Sequence, residues 1–164
     1  MNVFYLCDNP FEAAEVMCDQ HVVKMPLECA QLLSTAHHIL GDSGPYACTH
    51  VNHPSAVWVR ESTLQYQWVL EHMLGLLWEY TKRFDKLHGC ESVWDKLDCY
   101  PELMKCRDFK EPPQCMPDEC KVDGNTALAY RNYYHYKAKQ WWDSGRPMRY
   151  HRMSLTPKEV QEIV

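Results

Sequence analysis

Glycine is scarce in this chain, with six in 164 residues. No G-x-x-x-x-G-K and no G-x-G-x-x-G occurs, so the common loops that cradle phosphates at a helix N-terminus are excluded. G-x-S-x-G, H-E-x-x-H and the pairing of H-x-E with P-C-x-x-C are also missing, which argues against serine-elbow hydrolases, zincins and zinc deaminases. No apolar run reaches the roughly 18 residues of a membrane span, so no membrane partner is expected. The opening MNVFYLCDNPFEAAE has no basic stretch ahead of an apolar one and does not read as a secretory signal.

Cysteine, by contrast, is plentiful. There are nine, an odd number, and no secretory signal accompanies them, so reduced thiols in a cytoplasmic setting fit better than a disulfide scaffold. Structural zinc sites present tight Cys or Cys/His pairs, and the close cysteines Cys115 and Cys120 are spaced C-x4-C. No metal and no cofactor is expected. Apolar residues make up 46% and charged residues 24%, both ordinary for a globular chain, which sets aside disorder and fibrous architectures. The length suits one domain over residues 1–164, with a C-terminal tail over 143–164.

The net charge of −5 is unevenly spread. Residues 1–120 hold nine basic and eighteen acidic side chains, whereas residues 121–152 hold seven basic against two acidic. A basic segment on an acidic body points to a local anion site rather than a surface that is basic throughout.

Apolar periodicity predicts an all-α, mainly helical fold around three long helices, with a possible short strand at Val3–Leu6. The first helix opens at Asn9-Pro10, where Asn9 caps and Pro10 suits the first helical position, and it runs to Leu40. Pro26 is expected to kink or split it, because proline removes a hydrogen bond and clashes with the preceding turn. A polar loop over residues 41–54 follows. A second helix is predicted from about Ser55 to Phe84, with an apolar stripe at Val59, Tyr66, Val69, Leu70, Met73, Leu77 and Tyr80. Residues 85–122 read as irregular, with one short helix near Glu91–Cys99. A third helix spans about Asn125 to Trp142, and the tail from Asp143 reads as loop with a short helix opening at Thr156.

Three groups of residues carry candidate chemistry. On the first helix, Gln20, His21, Lys24, Glu28, Gln31 and Thr35 fall within one arc at 100° per residue, opposite an apolar side. Lys24 and Glu28 also have the spacing of an ordinary surface ion pair. A second group, His50, Asn52 and His53 with Arg60 in the next helix, suits an anion or simply a helix entry. A third, Arg131, Tyr134, His135 and Lys137, then Trp141-Trp142 and Arg146-Pro147, interleaves cations with aromatics as phosphate contact and base stacking require.

Asp19-Gln20-His21, with Glu28 seven residues after the histidine, resembles the first helix of the pyrimidine-dimer DNA glycosylases of T-even bacteriophages. Arg146-Pro147 followed by Tyr150 is similar to the Arg-Pro-aromatic tail with which that family touches DNA. The chain also resembles small phage proteins of unassigned role that carry Cys-Asp-x-His-Val-Val-Lys-Met and Asn-His-Pro stretches. The glycosylase resemblance implies a DNA N-glycosylase or glycosylase/lyase acting on damaged or modified pyrimidine nucleotides. It implies Glu28 as the carboxylate that stabilises a cationic intermediate, Gln20 and His21 at the lesion, and Arg146 on a phosphate. In that family an N-terminal α-amine is the nucleophile, exposed next to a small second residue. Residue 2 here is Asn, which leaves Lys24 as an alternative amine. The competing expectation is a non-catalytic binder of a small nucleotide, gripped by His50, Asn52, His53, Arg60, Arg131 and Lys137. The expected partner is therefore nucleic acid or a free nucleotide.

Overall fold

The structure is a computed structural model that describes residues 1–164. Three long helices carry it: α2 (Asp19–Ile39), α4 (Thr63–Phe84) and α6 (Thr126–Asp143). Four short ones accompany them: α1 (Pro10–Glu15), α3 (Pro54–Val59), α5 (Trp94–Leu97) and α7 (Pro157–Ile163). The only sheet is a two-stranded antiparallel hairpin, β1 (Arg149–Tyr150) and β2 (Met153–Ser154), with Tyr150 opposite Met153. The mainly helical class predicted from periodicity is the one observed. No helix is long and apolar enough to cross a membrane.

Two predicted helices are each divided, and neither break falls at the proline. Pro26 lies buried inside a continuous α2. The carbonyl of Val23, on the turn before it, accepts a hydrogen bond from His88 Nε2 (3.1 Å). The chain breaks instead at Val16–Cys18, between α1 and α2. There the orphan carbonyls that end α1 are capped by a side chain from α4. Arg83 Nη2 donates to Glu15 O (2.8 Å) and Nη1 to Met17 O (2.6 Å). The second break lies at Arg60–Ser62, where Ser62 caps α4 by accepting from Leu64 N. The same hydroxyl donates to Arg107 O at 2.8 Å, so the capping residue also anchors the strap that follows α5.

That strap, residues 98–117, contains no helix but is pinned throughout. Lys105 O accepts from Thr63 N, Lys110 O from Trp58 Nε1, Pro113 O from the Tyr130 hydroxyl and Cys115 O from Asn2 Nδ2. The short helix predicted near residues 91–99 is present as a 3-10 turn at Gly89–Val93 running into α5.

The core forms between α2 and α4, which α1 joins by packing on α4. Gly75 makes the α1–α4 approach possible, since a Cβ there would sit 3.0 Å from that of Ala14. The stripe residues Val59, Tyr66, Val69, Leu70, Met73 and Leu77 are all buried. Val3 to Leu6 are buried as well, but they form no strand. Phe4 has a φ of 47°, a left-handed value that breaks an extended run, and the segment is held by side chains: Arg131 Nε donates to Leu6 O (2.8 Å).

The segment after Asp143 does not behave as a loose tail. Met148, Tyr150 and Val160 belong to the same apolar cluster as the helices. At the hairpin tip, His151 and Arg152 both have positive φ, 48° and 69°. A tight hairpin needs that geometry, and glycine or asparagine usually supplies it. Here Asp19 supports the strained turn, its carboxylate accepting from His151 N (3.1 Å) and Arg152 N (2.7 Å). Asp19 in turn meets Arg83 Nη1 at 3.2 Å, and Glu79 takes Arg83 Nε at 2.8 Å. The three side chains are almost fully enclosed, and the remaining negative charge is met by Lys82, whose exposed Nζ pairs with Glu79 Oε1 at 2.8 Å.

Arg83→Met is expected to lower stability by about 3–5 kcal/mol, because buried Asp19 loses its counter-ion, Glu79 keeps only the exposed Lys82, and the α1 carbonyls lose their cap. Urea unfolding checks this as a fall in midpoint. A loss below about 0.5 kcal/mol, the usual surface range, would show that the network is dispensable.

Candidate functional site

One cavity gathers most of the polar arc of α2. About 350 Å³ in volume, it is lined by Gln20, His21, Lys24, Met25 and Glu28 from α2 and by Tyr133, Lys137 and Trp141 from α6. Met1, Asn2, Phe4 and Cys115 complete it. Positions 133, 137 and 141 are successive i, i+4 neighbours, so they present one face of α6 to the arc.

Glu28 sits inside this space with its side chain 14% exposed. Lys24 Nζ pairs with Oε1 at 2.8 Å, while Asn2 N donates to Oε2 at 3.2 Å. Lys24 itself is 69% exposed and reaches in from the rim. The carboxylate thus faces the cavity with one oxygen on a mobile cation and the other on a backbone amide. Asn2 is fixed for this purpose: its Nδ2 donates to Cys115 O (2.9 Å), and its Oδ1 accepts from Val3 N (2.9 Å).

His21 is held as a neutral ring. Burial, reinforced by the positive charges of Lys137 and Lys24, lowers its pKa to about 3. Its Nδ1 lies 2.9 Å from the Tyr134 hydroxyl, which already accepts from Cys18 N (2.7 Å). The hydroxyl has one proton and a second lone pair, so it donates to Nδ1 or accepts from it, and in either tautomer the contact fixes the orientation of the ring. Burial pushes the Tyr134 phenol well up, so it remains a proton donor. Phe4 lies over the imidazole at 4.3 Å between centroids and runs parallel to Tyr133 at 5.9 Å, which makes an aromatic wall.

Lys137 crosses the rings of Tyr133 (5.1 Å) and Trp141 (5.2 Å). Burial and then the Lys24 charge lower its pKa, against the pull of Cys18 and Glu28. Lys24, the amine expected from sequence, is the more exposed of the two.

Other expected site residues are used elsewhere. Tyr134 is fully buried and acts on His21 from behind. Gln20 lines the cavity, but its amide clamps the approach to the hairpin, donating to Pro147 O (2.8 Å) and accepting from Arg149 N (3.0 Å). Arg146 lies in a second, adjoining cavity of about 550 Å³ that shares Gln20 and Trp141 with the first. Arg60 Nη1 is committed to Val51 O at 2.6 Å, closing its own loop, and Arg131 to Leu6 O. His50 and Asn52 are exposed on the loop before α3, and Gln31 lies outside the cavity. His53 caps α3, its Nδ1 accepting from Ser55 N (3.2 Å). Burial lowers its pKa, with the start of the chain and His50 adding to the effect and Glu28 opposing it. The grip of His50, Asn52, His53, Arg60, Arg131 and Lys137 expected of a nucleotide binder is therefore not assembled. No group of three or more His, Cys, Asp or Glu side chains is placed to hold a metal ion, and all nine cysteines are free thiols.

Asn2, Phe4, Tyr133 and Cys115 were not expected at the site. For Tyr133 the 133/137/141 spacing was an available signal. The others arrive from segments whose path no periodicity describes.

The depressed His21 gives a pH signature. The unfolded chain binds a proton near the ordinary imidazole value of 6.5, the folded one only near 3. Stability is therefore complete above about pH 6.5 and falls as the pH drops towards 3, by up to about 1.4 kcal/mol per unit for this group. His21→Asn is expected to flatten that dependence between about pH 5 and 7, where most carboxylates stay ionised; urea unfolding at several pH values measures it. Equal slopes in both proteins would disprove the assignment.

Compared with known proteins, the chain matches no family, no curated protein and no solved structure.

Proposed function

We propose that this chain is a nucleobase-directed enzyme that cleaves the N-glycosidic bond of a damaged or modified pyrimidine nucleotide in DNA, with Glu28 as the central carboxylate. The observation that carries the reading is the near-burial of Glu28 in a cavity that it shares with the aromatic Phe4, Tyr133 and Trp141 and the cationic Lys24 and Lys137. Loss of a base leaves positive charge on the sugar. A carboxylate in a space with little water stabilises that charge more than it stabilises the neutral ground state. Phe4, Tyr133 and Trp141 offer π faces for a base withdrawn from its stack. In the tautomer protonated at Nε2, a neutral His21 donates to a base carbonyl without adding a charge that would repel the cationic sugar.

The resemblance of Asp19-Gln20-His21 and Glu28 to the first helix of phage pyrimidine-dimer glycosylases supports the same reading, because Glu28 is the residue that likeness puts at the reaction centre. A phage origin and action in the host cytoplasm belong to this proposal. Arg146, in the adjoining cavity beside Gln20 and Trp141, is available to a flanking phosphate.

The test uses ultraviolet-irradiated and abasic duplexes with the intact protein. Base release or strand cleavage is expected from the wild type. Glu28→Gln, which keeps the size of the side chain, is expected to lower the rate by about 10²–10⁴-fold. No product from either duplex overturns the proposal. Tight binding of a nucleotide by calorimetry, without turnover, would establish the non-catalytic alternative instead.

A further inference from the structure

We infer that Lys137 is the amine that forms an imine with an aldehyde carbon in this cavity, in place of the exposed Lys24 or an amine at the start of the chain. The inference rests on the proposed glycosidic cleavage, whose product is a sugar in equilibrium with its open-chain aldehyde.

The placement of Lys137 carries the argument. It projects from the middle of α6, a rigid 18-residue helix, and its Nζ enters the same cavity as Glu28. It makes no ion pair, whereas Lys24 is tied to Glu28 at 2.8 Å. Its Nζ lies over the ring faces of Tyr133 (5.1 Å) and Trp141 (5.2 Å), which sets where the nitrogen sits. The charged and titratable groups around it come from every neighbouring element: the Met1 amine at the chain start, Cys18 just before α2, His21, Lys24 and Glu28 on α2, Tyr133 on its own helix and Cys115 on the strap. Burial and Lys24 favour the neutral amine, while Cys18, Glu28 and the two ring faces oppose them. An imine-forming lysine needs this balance, since only the unprotonated nitrogen has a lone pair to offer.

The chemistry closes with the groups present. The Lys137 ammonium passes a proton through solvent to the Glu28 carboxylate and becomes a neutral amine. The nitrogen lone pair forms a bond to the aldehyde carbon, and the carbonyl π pair moves to oxygen, giving a carbinolamine after proton transfer from nitrogen to oxygen. Glu28 returns its proton to that hydroxyl, the C–O bond breaks, water departs, and the nitrogen lone pair forms the iminium. The ionised Glu28 then removes a proton from the adjacent sugar carbon, and the electron pair expels the 3′ phosphate by β-elimination. Water adds to the iminium carbon, and C–N cleavage releases the unsaturated aldehyde and free Lys137.

The experiment is borohydride trapping of the full-length wild-type protein on an abasic duplex, followed by peptide mapping of the modified residue. A parallel arm uses limiting pyridoxal 5′-phosphate, a small aromatic aldehyde, as a probe of amine reactivity without DNA. A duplex adduct on Lys137 is the expected result, and Lys137→Arg, which keeps the cation over the two rings, is expected to abolish it. The trapping rate is expected to rise with pH at lower values than labelling of exposed lysines does. A duplex adduct on Lys24 or on an amine at the chain start overturns the inference while leaving the proposed function standing. Should the duplex give no adduct while pyridoxal 5′-phosphate labels Lys137 ahead of other lysines, the lyase reading fails and the reactive amine stands. If neither reagent marks Lys137, the inference is wrong whatever the DNA assay returns.

Discussion

The guanidinium of Arg83 is the constraint on which the rest of the molecule depends. It ends α1 by taking the carbonyls of Glu15 and Met17, meets Asp19 in the first turn of α2, and is balanced by Glu79 one turn back on its own helix. Through Asp19 the same charge reaches the hairpin tip, where two residues with positive φ are held by the carboxylate. One buried cation therefore sets the corner between the first two helices, the start of α2 and the course of the chain after α6. Such a cluster adds little net stability when complete, but it costs heavily when one member is lost, so it acts as a device for fixing geometry.

That geometry decides where the polar face of α2 looks. With the start of α2 fixed and the hairpin approach clamped by Gln20, α6 lies across the face that carries His21, Lys24 and Glu28. A face that water would otherwise cover becomes one wall of a cavity that is partly open to solvent. The electrostatics follow from enclosure. His21 loses its affinity for a proton, Lys137 loses part of its own, and Glu28 keeps a cation on one oxygen and a backbone amide on the other. The neutral imidazole is held by Tyr134 from outside the cavity, so a residue with no exposure still shapes what the site presents.

Several cationic side chains that look available for ligand binding do structural work. Arg60 and Arg131 each satisfy a backbone carbonyl in a segment without regular hydrogen bonding. A chain with a long irregular strap and an unpaired N-terminal segment has many such carbonyls to satisfy, and arginine, with several donors on one planar group, is suited to that task.

Sequence periodicity alone determined the helical class, the three long helices, the buried stripe of α4 and the grouping of Gln20, His21, Lys24 and Glu28 on one face, because all of these depend on residues three or four apart. Local chemistry also identified the Asn9–Pro10 and Thr156 helix starts, both of which the structure contains. Only the tertiary structure decided the break at Val16–Cys18, the inward turn of the α2 face, the exchange of Lys24 for Lys137 as the sheltered amine, and the recruitment of Asn2 and Phe4. Each of these depends on partners separated by tens of residues. The break is made by Arg83, some 66 residues after Met17, and the enclosure by α6, 113 residues after His21 at the Tyr134 contact. A linear pattern records which side chains share a face; what covers that face, and therefore its dielectric and proton affinities, is set by packing between distant segments.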